Sequence, residues 1–81
     1  MSVSRVKELI RQAGRQRVLL RFWYEDEWRV VEPYSFRDRS GHELFYAWCH
    51  LRDDIRSFDP EKMERVEVTH TSYSPRYEVE F

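Results

Sequence analysis

Apolar side chains recur near the start of the chain at Val6, Leu9, Ile10 and Ala13, the i, i+3, i+4, i+7 spacing of one helix face. Ser4 offers an N-cap hydroxyl and Gly14 a stop, so the pattern predicts a helix over about residues 4–13. The period then changes from 3.6 to two. Val18, Leu20, Phe22 and Tyr24 alternate with Arg17, Leu19, Arg21 and Trp23, as in a strand with one buried face, and Glu25, Asp26 and Glu27 turn the chain. Trp28 to Phe36 is a second strand whose Pro33 forces it to bend, bulge or lie at an edge.

Asp38, Arg39, Ser40 and Gly41 form the next turn by composition. Leu44 to Leu51 is a third strand, with Phe45, Ala47, Cys49 and Leu51 on one face and Leu44, Tyr46, Trp48 and His50 on the other. After a turn at Arg52, Asp53 and Asp54 comes a short fourth strand, Ile55 to Phe58. Asp59 to Met63 reads as one helical turn, because Pro60 suits a first-turn position with Asp59 before it. Val66 and Val68 mark a fifth strand over about 64–70. The tail, residues 71–81, carries Tyr73, Pro75, Tyr77, Val79 and Phe81, enough apolar surface to pack as a further strand or against a second copy. The fold class is therefore mainly β with an N-terminal helix: a small, strongly bent five-stranded barrel over about 17–70, one helical turn before the last strand, and the helix plugging an end.

A chain of 81 residues is one domain, 1–81, with 41% apolar and 16% aromatic content to build a core. Its single cysteine, Cys49, cannot form an internal disulfide, which points to a reducing, cytoplasmic setting. No apolar run is long enough to span a membrane, and no secretory leader pattern opens the chain. The net charge is −1, from 14 Lys and Arg against 15 Asp and Glu, which argues against coating nucleic acid by bulk charge. The first 24 residues are nonetheless basic, with Arg5, Lys7, Arg11, Arg15, Arg17 and Arg21 against Glu8 alone. Arg dominates, and its planar fork suits phosphate and aromatic faces.

No nucleophile, base or metal set stands at workable spacing, so the chain reads as non-enzymatic and without a cofactor. Cys49 and His50 are neighbours that a strand points to opposite faces. His42 and His70 lie in or beside turns with no second ligand at chelating spacing, and the two glycines are too far apart for a phosphate-cradling loop. What remains is Arg interleaved with aromatics on strands: Arg21, Phe22, Trp23 and Tyr24; Trp28 and Arg29; His50, Arg52, Arg56 and Phe58. Such a pattern supplies phosphate contacts and stacking platforms, although aromatic core residues beside solvated arginines would produce it too.

The order of the pieces carries a resemblance. A first strand ending in Tyr24, then Arg29-Val30-Val31-Glu32-Pro33, Ala47-Trp48-Cys49-His50-Leu51-Arg52, and Arg56-Ser57-Phe58-Asp59-Pro60-Glu61-Lys62-Met63 resembles the WYL domain, over about Ala13 to Val68. That bacterial regulatory module is a small Sm-like β-barrel, commonly fused to helix-turn-helix DNA-binding domains and also found in CRISPR-associated proteins. The resemblance implies a positively charged pocket that recognises a nucleotide-type or single-stranded nucleic-acid ligand. The matching positions are Tyr24, Arg29, Arg56, Phe58 and Lys62, with His50 and Arg52 nearby. Two departures stand out. Glu43, Leu44 and Phe45 occupy the places of the Trp-Tyr-Leu triad, and Lys62 replaces the usual Arg.

The expectation is thus a ligand-sensing domain that neutralises phosphate with Arg and Lys and stacks a base on Tyr or Phe. The alternative is an interaction module of a transcriptional or CRISPR-associated regulator, using the barrel edge and Tyr73, Tyr77 and Phe81 to dimerise or to dock on a larger regulator.

Overall fold

The computed structural model describes all 81 residues. The helix, α1, runs Val3–Gln16, longer at both ends than its apolar stripe. Ser2, not Ser4, caps it: the Ser2 side chain accepts the Arg5 N–H at 3.2 Å. The stop is Arg17 in a left-handed conformation (φ 57), not Gly14. Gly14 stays inside the helix and is buried there, for a packing reason given below.

Five strands follow: β1 (Val18–Tyr24), β2 (Glu27–Arg39), β3 (His42–Cys49), β4 (Asp54–Phe58) and β5 (Glu64–Ser72), with a 3-10 turn at Pro60–Lys62. They form one antiparallel sheet in the order β4-β3-β2-β1-β5. The mainly-β class, the helical turn and the strand order along the chain follow the sequence pattern. The sheet, however, is not closed: β4 and β5 are its edges, joined through the 3-10 turn instead of by a ladder. The turn forms as its sequence dictates, with the Asp59 side chain accepting the Glu61 N–H at 2.9 Å and Pro60 at the start.

Both β1–β2 and β2–β3 are two-residue hairpins. Glu25 and Asp26 take positive φ of 50 and 62, Ser40 and Gly41 of 53 and 80, the geometry whose twist matches the flanking strands. The third strand ends at Cys49, so Leu51 falls in the following turn and is half exposed, not in the core face.

The core lies between α1 and the concave side of the sheet. Val6, Leu9, Ile10 and Ala13 of the helix meet Leu20, Phe22, Val31, Phe45, Ala47, Cys49, Phe58, Met63 and Val66. Aromatic rings fill its centre: Phe22 and Phe58 stand edge to face at 5.1 Å, and Phe36 and Phe45 at 6.2 Å.

Pro33 bulges its strand without making it an edge. Pro33 pairs with Ala47 but Ser35 with Tyr46, so Tyr34 is the extra residue on β2. The insertion reverses the alternation: Val31 faces the core before it and Phe36 after it. It also leaves carbonyls for other partners, and the C-terminal tail takes them. Tyr73 Oη donates to the Pro33 carbonyl at 2.6 Å, and the Glu80 N–H donates to the Tyr34 carbonyl at 2.8 Å. The tail is therefore neither a further strand nor a free arm. It is a strap across the outer face of β2 and β3, and Val31 to Ser35 are buried on both sides of the sheet.

Candidate anion site and the strap network

Of the seven residues implied by resemblance, three meet. Tyr24 and Phe58 pack edge to face at 5.1 Å, and the guanidinium of Arg29 lies over both rings, 5.7 Å from Tyr24 and 5.8 Å from Phe58. The hairpin register explains the grouping. Arg29 pairs with the core residue Phe22 and so points to the buried face of β2. Tyr24 and Phe58 are themselves core residues, with their rings against each other and Arg29. Tyr24 Oη accepts the Asp59 N–H at 3.0 Å, which ties the 3-10 turn to the hairpin.

Arg29 is only 6% exposed, and burying a guanidinium costs several kcal/mol unless it is paired. Its nearest carboxylates are Glu25 and Glu27, whose oxygens lie 3.9 and 3.8 Å from Nη2, beyond hydrogen-bond length. Its Nε is buried with no hydrogen-bond partner in the protein. The site thus holds a desolvated cation whose donors are under-used. Neither Glu32 on the same strand nor Glu43 on β3 is in contact with it: Glu43 pairs with Lys7 at 2.9 Å, and Glu32 is engaged elsewhere.

The other four stand apart. Arg52 reaches the cluster only through Glu27, at 3.1 Å. His50 is on the opposite side of the sheet, with Nε2 3.0 Å from Glu32. Arg56 and Lys62 are exposed and form no ion pair. By register Arg56, opposite Ala47, shares the core-side face with Phe58. The acids Glu25 and Glu27 stand beside Arg29, and Arg29 lines neither of the two cavities.

Much of the Arg–aromatic pattern is spent inside the molecule. Arg21 stacks on Trp28 at 3.6 Å, Arg11 on Phe36 at 5.1 Å and Arg76 on Trp48 at 4.2 Å. Trp23 and Trp28 cover each other across the hairpin at 5.3 Å.

A second polar centre, missed in the sequence, sits under the strap. Glu32 is buried, and its carboxylate accepts from Tyr34 Oη at 2.6 Å and from Arg76 Nε at 3.1 Å, besides its contact with His50. Burial works against the charged carboxylate, but the bonds from Tyr34, His50 and Arg76 outweigh it and hold Glu32 below the usual carboxylate range. Burial and the neighbouring Glu32 push the Tyr34 phenol well up. The only sequence signal was a carboxylate two residues from a tyrosine across a proline, which is no signal without the strap.

His42 also finds partners that spacing hid. Its Nε2 lies 3.1 Å from Asp59 and its Nδ1 3.8 Å from Glu61. These donor atoms stand within 4.8 Å of one another, close enough for three ligands of a divalent ion. Asp59 already uses a carboxylate oxygen to cap the 3-10 turn, and burial, the chief opposing influence, is outweighed by that bond and by His42, which keep it below its ordinary value.

Three comparisons place the chain among known proteins. The sequence model of the WYL domain matches residues 5–68. Over 45 residues, 56% of the chain, it is 33% identical to the uncharacterized HTH-type transcriptional regulator YobV of Bacillus subtilis (strain 168), and the match spans 14% of that protein. The fold is similar to part of proteasome accessory factor B/C (PafBC) of Arthrobacter aurescens, with a TM-score of 0.80 at 23% identity, covering 89% of this chain and 12% of that one. The chain spans a small fraction of the length of both.

Proposed function

The chain belongs to the WYL domain family, and on that footing we propose that it is a non-enzymatic ligand-sensing domain of a regulatory protein, binding a phosphate-bearing ligand at Arg29. The observation that carries this reading is the buried guanidinium over Tyr24 and Phe58, with an unpartnered Nε and no carboxylate within hydrogen-bond length. A phosphate oxygen entering past Glu25 and Glu27 gains a charge-assisted contact that the free protein lacks. Nucleotides and single-stranded nucleic acid both supply that group. Tyr24 and Phe58 act by holding Arg29, since their rings are already covered, while the unpaired Arg56 and Lys62 neutralise further phosphates along a strand. His50 and Arg52, engaged by Glu32 and Glu27, have a supporting part.

The interaction-module reading keeps the exposed Tyr77 and the open edges β4 and β5, while Tyr73 and Phe81 are engaged by the chain's own strap contacts. The test is fluorescence anisotropy with labelled single-stranded RNA and DNA at low and high salt, with duplex as control. Binding that weakens with salt and is lost in Arg29→Met, and reduced in Arg56→Ala, supports the site. Equal binding by wild type and a folded Arg29→Met protein overturns it.

A further inference from the structure

The larger cavity lies on the other side of the sheet from Arg29, between the strap and the outer face of β2, β3 and β4. It has a volume of about 460 Å³, within the span of about 300–1,000 Å³ typical of small-molecule sites. Tyr46 and Ile55 form its floor and Tyr77 its strap-side wall. By register Tyr46 and Ile55 both belong to the sheet face away from the core, as Phe45 and Phe58 belong to the other. Tyr77 is 50% exposed, although its ring is propped edge to face on the buried Tyr34 at 5.1 Å. The wall is therefore supported from behind and yet open.

The charges at the rim decide what fits. Arg37 is the cleft's only cation, and both terminal nitrogens are taken by Glu80, at 2.8 and 2.7 Å. The backbone of Glu80 is anchored there, because its N–H is bonded to the Tyr34 carbonyl. Arg37 is thus neutralised before any ligand arrives. Glu78, also on the rim, forms no ion pair. The cleft consequently combines aromatic faces with one uncompensated negative charge, the combination that favours a cation carrying apolar groups over an anion or a neutral molecule.

We propose that this cleft is a binding site for a small organic cation with an apolar body, which lies against Tyr46 and Tyr77 with its charge toward Glu78. Because Tyr77 and Glu78 belong to the strap, occupancy also favours the docked strap by mass action.

The test uses the whole chain and three probes of similar size: benzyltrimethylammonium, benzyl alcohol and benzoate. Two-dimensional amide NMR follows each titration. The expected result is saturable shifts with the ammonium probe at residues 34–37, 46, 55 and 77–80, and weak or no shifts with the other two. Glu78→Gln should weaken the ammonium probe about threefold to fivefold, as expected for a partly exposed charge contact, and raised salt should act likewise. Tyr77→Leu keeps the apolar wall and removes the π face, so it should weaken the ammonium probe while leaving any benzyl alcohol binding unchanged. Benzyl alcohol or benzoate binding as tightly as the ammonium probe, no saturable shifts at these residues, or ammonium binding unaffected by both substitutions in folded proteins, would overturn the proposal.

Discussion

The ring of Phe81 rests on Gly14, where any larger residue would place its Cβ, so the last residue of the chain is seated against a turn of the first helix. The same ring packs edge to face on Phe36 at 5.2 Å. Gly14 is kept for this close approach and does not act as a helix stop. Between Tyr73 and Phe81 the strap is held at both ends and in its middle, by Pro33, Tyr34, Glu32 and Gly14.

Substituting Gly14 by Ala sets two effects against each other. Ala in a helix interior is favoured by up to about 1 kcal/mol over Gly, but its methyl group collides with the Phe81 ring. The ring has to move off the helix, and its contacts with Phe36 are lost. In a double-mutant cycle by urea denaturation, Phe81→Ala should cost about 1–2 kcal/mol in the wild-type background and almost nothing with Gly14→Ala. Additive effects would show that the two residues do not meet in solution.

Glu32 is the hub of the strap. Glu32→Ala leaves Tyr34, His50 and Arg76 without their shared acceptor and should destabilise the domain by about 1–3 kcal/mol, the usual result of stranding buried polar groups. Arg76→Ala breaks only the exposed end of the network and should cost less. Chemical denaturation of both variants checks the order, and the reverse order would place the hub on Arg76.

Glu32 under the strap and Tyr73 at its start are two of the groups that contribute to the pH dependence of stability. Glu32 is held below its ordinary 4.5, so the folded chain binds its proton less readily than the unfolded one. Its stabilisation is complete above about pH 4.5 and is lost as the pH falls through the lower folded value. Tyr73 behaves in the opposite sense: burial, only partly countered by Arg17, pushes its phenol from 10.0 up to about 12, so its contribution is present below pH 10 and is lost as the pH rises toward 12. Denaturation midpoints against pH should show a plateau between these limbs, with the acid limb shallower in Glu32→Gln and the alkaline limb shallower in Tyr73→Phe. An acid limb unchanged by Glu32→Gln would assign it to other carboxylates.

Arg29 is a poor choice for stability and a good one for an anion. Replacing it with Met removes a desolvated charge that has no hydrogen-bonded carboxylate, while keeping an apolar side chain over Tyr24 and Phe58. Arg29→Met should therefore match or exceed the wild-type thermal midpoint while losing anion binding. A marked loss of stability would mean that Glu25 and Glu27 already satisfy the charge.

Local features of the fold were legible because they depend on near neighbours along the chain. The 3.6-residue spacing of Val6 to Ala13 fixes a helix, the alternation around Phe22 and Phe45 fixes which sides of β1 and β3 are buried, and Asp59-Pro60 specifies a helical turn. The tripping points were equally local in appearance. Ser4 and Gly14 have the right chemistry for caps, but Ser2 makes the bond and Gly14 answers to a residue 67 positions away. The block order from Tyr24 to Met63 also identified the family, since it records which strands carry which residues.

The candidate site was legible only in part. Tyr24, Arg29 and Phe58 converge because β1, β2 and β4 present them to one side of the sheet, but no spacing announced that Glu25 and Glu27 would stand in front of Arg29. The other arginines beside aromatics look alike in sequence whether they await a ligand or, like Arg21 on Trp28 and Arg76 on Trp48, stack within the molecule.

The sequence by itself determined the elements, the strand faces and the family, all of which follow from side-chain order and short-range periodicity. Only the tertiary structure decided where the tail goes, why Glu32 is buried, and which charges are already satisfied. Those outcomes depend largely on contacts between residues far apart in the chain, such as Glu32 with Arg76 and Arg37 with Glu80. The bulge at Tyr34 contributes to them, because the strap bonds the carbonyls of Pro33 and Tyr34 there.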